Sequence, residues 1–373
     1  MKIGVLKETA EGERRVAASP ETVKKFVALG ATMAVEAGAG ATAAVDDAAY
    51  ETAGATVGTR AATIADADIL LGVAGPTPES LAGVKSGAWL AAGLNPFGER
   101  ARVDEYAALG IEALAMEFMP RITRAQSMDI LSSQSNLSGY KAVLDAAGEY
   151  GKAFPMMMTA AGTVTAARVF VMGVGVAGLQ AIATARRLGA QVSATDVRSA
   201  TKEQIESLGA KAIFVEDVKG IEGEGAGGYA TEMSDEYKAA QAALVSSHIA
   251  KQDIVITTAL IPGRPAPRLI SDKQIASMKP GSVIVDLAVE AGGNVEGAMA
   301  GQVVEIHGVK IVGHKNVPSR LATDASALFS RNLYNFLSAF WDKEAGKPVL
   351  DEEIGNAIRL TQGGKVVNER LLG

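Results

Sequence analysis

Two Rossmann-like, doubly wound α/β domains with a cleft between them, joined by long helices, are what this sequence predicts. Three observations carry the prediction. Short apolar runs alternate with helical stretches from the first residues onward. The 373 residues exceed the length at which a single hydrophobic core stops growing. Residues 168–196 spell out a complete βαβ unit.

Ile3–Leu6 reads as the first strand, and because Met1-Lys-Ile-Gly-Val is already a strand start, no signal peptide is expected. Ser19-Pro20-Glu21 supplies an N-cap followed by proline in the first turn, opening a helix that Gly30 stops. Thr32–Glu36, Asp68–Val73, Ala88–Leu94 and Ile111–Met116 read as further strands with helices between several of them. That alternation predicts a parallel sheet covered on both faces. A long helix, roughly Ser133 to Tyr150, leads out of the array.

The second array opens with Arg168–Met172, an apolar strand, and Gly173-Val-Gly175-Val-Ala-Gly178 follows at once. A helix over Leu179–Leu188 comes next, and the strand Gln191–Thr195 then delivers Asp196, 21 residues beyond Gly175. The three glycines have separate tasks: a tight turn, close approach of a pyrophosphate to the backbone, and close packing of helix on strand. The helix N-terminus presents N–H groups and partial positive charge to the phosphates. GxGxxG alone is weak in a chain with 41 glycines. Strand, helix and acid together make it a dinucleotide site, against the alternative of a glycine-rich turn in an ordinary sheet. Asp196 accepts hydrogen bonds from ribose hydroxyls and repels a 2′-phosphate, which favours NAD over NADP. Arg198 leaves three possibilities open: it serves that phosphate, lies over the adenine, or pairs with Asp196.

Further strands are expected at Lys211–Val215, Asp253–Thr257, Val283–Leu287 and Lys310–Val312. The helical stretch Asp324–Phe340 then leaves the array as a connector to the first domain. The expected boundaries are residues 1–132 plus 321–373 for the N-terminal domain and 133–320 for the nucleotide domain. Glu216–Asp235 is rich in Gly and Glu, and is either a surface loop or a lid that lands Tyr229 on the nucleotide.

Composition narrows the chemistry. A net charge of −6 argues against a nucleic-acid partner. The absence of cysteine excludes disulfides, zinc–thiolate sites and thiol catalysis, and suits a reducing cytoplasm. No uninterrupted apolar run reaches about 18 residues, so direct membrane insertion is not expected. There are three histidines. His248 and His307 are expected at the surface. His314 either faces the cleft or is structural, and none makes a convincing proton acceptor for an alcohol or hydroxy-acid substrate. The densest polar stretch is Met119-Pro-Arg121-Ile-Thr-Arg124-Ala-Gln126-Ser-Met-Asp129-Ile-Leu-Ser132-Ser133-Gln134-Ser135-Asn136. It follows the strand Ile111–Met116, at the sheet end where open α/β folds bind ligands. Its Arg, Gln, Asp and Ser make poor acid–base machinery but can hold a carboxamide and a ribose. The alternative is a linker capped by Ser132 or Ser133 at the start of the long helix.

Residues 121–136 closely resemble the signature loop of the NAD(H)-binding component, domain I, of proton-translocating NAD(P) transhydrogenase. Phe154-Pro-Met-Met-Met-Thr-Ala-Ala-Gly162, Gly173-Val-Gly-Val-Ala-Gly-Leu-Gln180, Ala194-Thr-Asp-Val-Arg198, Thr257-Thr-Ala-Leu-Ile-Pro-Gly263 and Asp286-Leu-Ala-Val-Glu-Ala-Gly-Gly293 are similar to that family too. The likeness is strongest from 113 to 320, whereas 344–373 matches nothing. Ending without membrane spans, the chain looks like a separate alpha subunit. The resemblance implies direct hydride transfer from NADH to NADP⁺ on a partner component, with proton translocation in a membrane-spanning component and no general base. It implies that Arg121, Asp129 and Ser132 hold the nicotinamide and its ribose and that Gln126 reaches toward the partner's nucleotide. Gly173, Gly175, Val176, Gly178, Asp196, Val197, Arg198, Gly228, Tyr229, Ala259 and Leu260 would line the rest of the NAD site. No metal is implied. It also implies a homodimer, placed at the cytoplasmic face of the inner membrane through its partners.

Alanine dehydrogenase is the second family in view, on Lys7-Glu8, Arg14-Arg15-Val16 and Ser19-Pro20. That enzyme needs a lysine and a histidine, and the corresponding stretches, Leu70–Pro76 and Leu90–Pro96, contain neither. A non-catalytic NAD-binding protein is the third reading.

Overall fold

The computed structural model describes residues 1–215, 234–261 and 263–372. The chain divides into two compact units, Met1–Gln134 with Pro318–Gly373, and Ser135–Val317. The long helix, Ile130–Glu149, crosses the boundary between them.

The first unit is built on β1 (Lys2–Val5), β2 (Thr32–Glu36), β3 (Ala55–Gly58), β4 (Ile69–Ala74), β5 (Trp89–Gly93) and β6 (Glu112–Ala115). All pair in parallel in the order β3-β2-β1-β4-β5-β6. The winding direction therefore reverses between β1 and β4. The helix Pro20–Ala28 starts as the sequence reads: Ser19 caps it, Thr22 completes a capping box, and Pro20 occupies the first turn. β3 is an addition to the expected strands, because Ala-Thr-Val-Gly is too short and too small to signal an edge strand. The helix Ala322–Ala339 buries Phe329, Leu333, Phe336 and Leu337 in the same core as Ile3, Leu70 and Tyr106. The C-terminal segment, expected to match nothing, also enters this core, through Ile354, Ile358 and Leu360.

A half-buried acid, Glu8, marks the β1/β4 reversal. Glu8 accepts hydrogen bonds from the Val73 and Ala74 N–H groups (2.6 and 3.3 Å). Burial, with a smaller push from Glu13, raises its pKa to about 7 despite those bonds and Arg15. In the unfolded chain a glutamate titrates near 4.5. Between those values the native state holds a proton the unfolded state has lost, so stability falls as pH rises from about 4.5 to about 7. Glu8→Gln removes this contribution. Chemical denaturation at pH 5 and pH 8 is expected to show the parent losing stability relative to the variant at the higher pH, and equal slopes would contradict the buried proton.

In the second unit the long helix is followed by a small antiparallel hairpin, β7 (Met157–Thr159) with β8 (Gly162–Val164). Its sheet contains β9 (Arg168–Met172), β10 (Gln191–Thr195), β11 (Lys211–Ala212), β12 (Ile254–Thr257), β13 (Val283–Asp286), β14 (Gln302–Ile306) and β15 (Val309–Gly313). The order is β11-β10-β9-β12-β13-β15-β14, with the reversal between β9 and β12. Alternate residues of β9 feed two cores: Val169 and Val171 pack with Ile182, Val192 and Ile254, whereas Phe170 and Met172 pack with Ile249, Ile275 and Ile284. A sheet covered on both faces explains why these strands read as unbroken apolar runs. β14 is the exception, an antiparallel edge strand with mostly exposed side chains. It turns into β15 through His307 and Gly308, both at positive φ, the two-residue hairpin geometry.

Candidate functional site

In the second unit, the fingerprint turn sits at the C-terminal end of β9, beside the end of β12, at the point where the winding reverses. Gly173 has φ +98°, and a Cβ there would lie 2.6 Å from Thr258 Oγ1. Thr258 itself donates to the Gly173 carbonyl (2.9 Å). At Gly178 a Cβ would fall 1.9 Å from the Gly173 carbonyl oxygen, so only glycine allows this closeness of helix and turn. A Cβ at Gly175 would meet nothing within 4 Å, which leaves that backbone open to a ligand. The helix Val176–Arg187 starts here, three residues earlier than the sequence suggests, and Gly175 brings no side chain to cap it. Val176 is exposed. These features fit a pyrophosphate: open backbone, a helix N-terminus and glycine where bulk is excluded.

Asp196, at the end of β10, is buried. Its Oδ2 accepts from the Val174 N–H (2.6 Å), and its Oδ1 accepts from both N–H and Nε–H of Arg198 (2.9 Å each). Of the three roles left open for Arg198, the structure shows pairing with Asp196. Its guanidinium also donates to the Val174 carbonyl (3.2 Å). A further bond from Arg198 Nη2 to Oδ2 (3.1 Å) completes the set, so the carboxylate ties the fingerprint turn to its own strand end. Val197 is half-buried beside it.

The loop after β12 carries Ala259, half-buried, and Leu260, exposed. Asn294, fully buried, clamps this loop by donating to the Ala259 and Pro267 carbonyls (2.9 and 2.8 Å) and accepting from the Ala259 N–H (3.1 Å). Asp286 braces the next strand end by accepting from the Ala288 and Val295 N–H groups (2.9 and 3.0 Å). No role was expected for Thr258 or Asn294, although Thr258 lies inside one quoted motif and Asn294 directly follows another. Gly139 was missed as well. A Cβ there would lie 2.0 Å from the Ala177 carbonyl oxygen, so the long helix lies against the first turn of the fingerprint helix. Asn136 adds a 3.3 Å hydrogen bond to Gln180. Gly228, Tyr229 and nearly all of the expected lid lie outside the described residues.

In the first unit, the polar loop forms a 3-10 turn over Thr123–Met128. The long helix follows at Ile130, and Asp129 caps it: Oδ1 accepts from the Ser132 N–H (3.0 Å) and Oδ2 from the Ser132 hydroxyl. The cap expected at Ser132 or Ser133 is therefore three or four residues too late, because Asp129 reaches back over the first turn. Arg121 and Gln126 are exposed, and the Gln126 side chain has no hydrogen-bond partner among the described residues. Two asparagines of the helix Ala322–Ala339 hold the loop's backbone: Asn332 and Asn335 donate to the Ser127 carbonyl (2.8 and 3.2 Å). Arg124 is forked by Asp351 and Glu353 of the C-terminal segment, both at 2.5 Å. All three side chains are open to water, which screens the pairs and leaves them little weight in stability.

His248 is half-buried rather than at the surface, with its Nε2 2.8 Å from Ser193 Oγ and its ring edge-on to Phe170. Burial, with nearby Lys211 and Lys251, lowers its pKa. His307 is exposed and pairs with Asp272. His314 is half-buried. Among the described residues no cluster of ligating side chains is suited to a metal, and no helix is long and apolar enough to cross a membrane.

Fold and fingerprint together define a two-unit α/β protein of the dinucleotide-fold class. The chain belongs to the alanine dehydrogenase/PNT family: the family's N-terminal domain model matches residues 4–138 and its C-terminal domain model residues 142–369. The second match thus runs into the C-terminal segment, where none was expected. Over its full length it is 54% identical to the first section of the NAD(P) transhydrogenase alpha subunit of Rhodospirillum rubrum, a separate chain of which it covers 99%. The crystal structure of transhydrogenase from Sinorhizobium meliloti superposes with a TM-score of 0.87 at 53% identity, over 99% of this chain and 100% of that one. Alanine dehydrogenase of Mycobacterium tuberculosis is more distant, at 30% identity over 80% of this chain and 75% of its own length.

Proposed function

We propose that this chain is the NAD(H)-binding subunit of a proton-translocating transhydrogenase. The observation that carries the reading is an open dinucleotide turn together with a polar loop that holds neither histidine nor lysine, in a chain matching the first section of a transhydrogenase alpha subunit end to end. NADH, when bound, supplies a hydride that passes directly from C4 of its dihydronicotinamide to C4 of NADP⁺ held on a separate NADP(H)-binding component. The residues of this chain bind and orient. The turn Gly173–Gly178 and the helix N-terminus take the pyrophosphate, Asp196 takes the adenosine ribose, and Ala259 and Leu260 line the site. Arg121, Asp129 and Ser132 orient the nicotinamide end, and Gln126 reaches toward the partner's nucleotide. No proton leaves a substrate oxygen, so no general base is required. Alignment of the two rings and exclusion of water do the rest.

Proton translocation falls to the membrane-spanning component, which also holds this subunit at the cytoplasmic face of the membrane. The subunit acts as a homodimer. The exposed methionines of the β7–β8 hairpin, Met156, Met157 and Met158 (63, 42 and 81% exposed), are the apolar surface available to a second copy.

The deciding experiment mixes the purified chain, NADH and an NADP⁺ analogue with the NADP(H)-binding component, with light scattering reporting particle mass beforehand. Reduction of the analogue only when both proteins are present supports the reading. Turnover of alanine plus NAD⁺ by the chain alone would instead make it an alanine dehydrogenase, and NADH binding without transfer would make it a non-catalytic NAD-binding protein. The parent is expected to prefer NADH to NADPH. Asp196→Ala is expected to weaken NADH about 10- to 100-fold, the worth of a charged hydrogen bond of about 1.5–3 kcal/mol. It also releases Arg198 for a 2′-phosphate, so the preference over NADPH should narrow. Equal affinities in the parent would sink this nucleotide assignment.

A further inference from the structure

The Arg121–Ser132 loop carries four residues given roles above, yet its 3-10 turn has little regular structure of its own. One buried side chain from a distant part of the sequence spans it. Asn332 is 7% exposed. Its Nδ2 donates to the Ser127 carbonyl at 2.8 Å, and its Oδ1 accepts from the Ser133 hydroxyl at 2.7 Å. Ser127 follows Gln126, and Ser133 lies one turn into the helix that Asp129 caps. Both ends of the segment Gln126–Ser133 are thus pinned to one amide, which fixes where Gln126, Asp129 and Ser132 project.

We propose that Asn332 is the positioning residue of the polar loop, setting the placement of Gln126 and Asp129 without touching the nucleotide. This rests on the transhydrogenase reading. Nearby bonds do not duplicate the device. Asn335 reaches the same carbonyl at 3.2 Å but makes no bond to Ser133. Arg124 grips the turn only through exposed ion pairs to Asp351 and Glu353, which salt screens. Losing Asn332 should nonetheless leave the fold standing. Ser127 O keeps Asn335, and Ser133 Oγ keeps the Ile130 carbonyl at 3.2 Å, so neither group is orphaned. The amide is therefore worth more to geometry than to stability.

The test compares Asn332→Ala, Asn332→Asp and Asn335→Ala by single-turnover hydride transfer, NADH affinity, melting temperature and amide hydrogen exchange. Asn332→Ala is expected to slow transfer on the order of 10-fold, since small misplacement near reacting atoms can cost up to about 100-fold. NADH affinity should stay within about threefold of the parent and melting should stay close to it. Exchange should quicken across residues 123–133 and not across 173–198. Asn332→Asp keeps the acceptor for Ser133 but loses the donor to Ser127, and should also slow transfer. Asn335→Ala should change it less. A transfer rate unchanged while the loop exchanges faster would overturn the proposal, as would a rate loss fully matched by loss of folded protein. A parent that transfers no hydride would overturn the proposed function instead, and the exchange data would then decide alone whether Asn332 holds the loop.

Discussion

Gln126→Asn is expected to leave melting temperature and NADH affinity near those of the parent while slowing hydride transfer to the partner's NADP⁺ about 100-fold. Gln126 is exposed and its amide has no partner among the described residues, so shortening it by one methylene breaks no contact within the chain. What changes is reach. In a reaction that consists of bringing two rings to about 3–3.5 Å, placement is nearly all of catalysis. Asp129→Asn is a useful companion, because asparagine caps a helix about as well as aspartate. The fold should survive while the charge at the nicotinamide end disappears, slowing transfer with some loss of NADH binding. Arg121→Ala should behave similarly. If the loop were only scaffold, the pattern would invert: the Gln126→Asn protein would melt early and transfer hydride at the normal rate. Stopped-flow rates and melting curves on the same three proteins separate the two patterns.

The parts of this fold that are buried on both faces are the most legible from sequence. Arg168–Met172 is a strand over those same residues, because a central parallel strand covered on both faces reads as an apolar run, and Gln191–Thr195 also forms over its expected residues. Legibility falls where tertiary context decides. β14, Gln302-Val-Val-Glu-Ile306, shows no clean alternation on its exposed edge, and its only clear signal is the His307-Gly308 turn. The long helix starts at Ile130 because Asp129 outcompetes two serines for the cap, a choice composition does not reveal. The chemistry of the site is readable as a set of residues but not as a network. Nothing in Asp196-Val-Arg198 distinguishes an arginine bound for a phosphate from one paired with its own aspartate. Asn332 and Asn294 lie far from what they hold and carry no motif.

Glycine 139 shows the same limit most sharply, and it carries the second large effect. In sequence it is one glycine in a 20-residue helix, a position where alanine would ordinarily be preferred by about 1 kcal/mol. In the structure its Cβ would lie 2.0 Å from the Ala177 carbonyl oxygen, 2.8 Å from the carbonyl carbon and 3.0 Å from the Cα. Those are backbone atoms in the first turn of the fingerprint helix and cannot swing aside as a side chain could. The two helices would have to separate by about 1 Å or more, carrying Ala177 away from Gly175 and Gly178. Gly139→Ala is therefore expected to destabilise the protein by about 1–3 kcal/mol, the usual cost of overpacking, and to weaken NADH binding about tenfold or more. Gly148 provides the control on the same helix: it is exposed, and a Cβ there meets nothing within 4 Å. Gly148→Ala should instead stabilise by about 0.5–1 kcal/mol with NADH affinity unchanged. Chemical denaturation and NADH titration on the two variants test the contact. Similar gains from both substitutions would mean that the long helix does not press on the fingerprint turn, and that the turn's geometry is set by its own glycines alone.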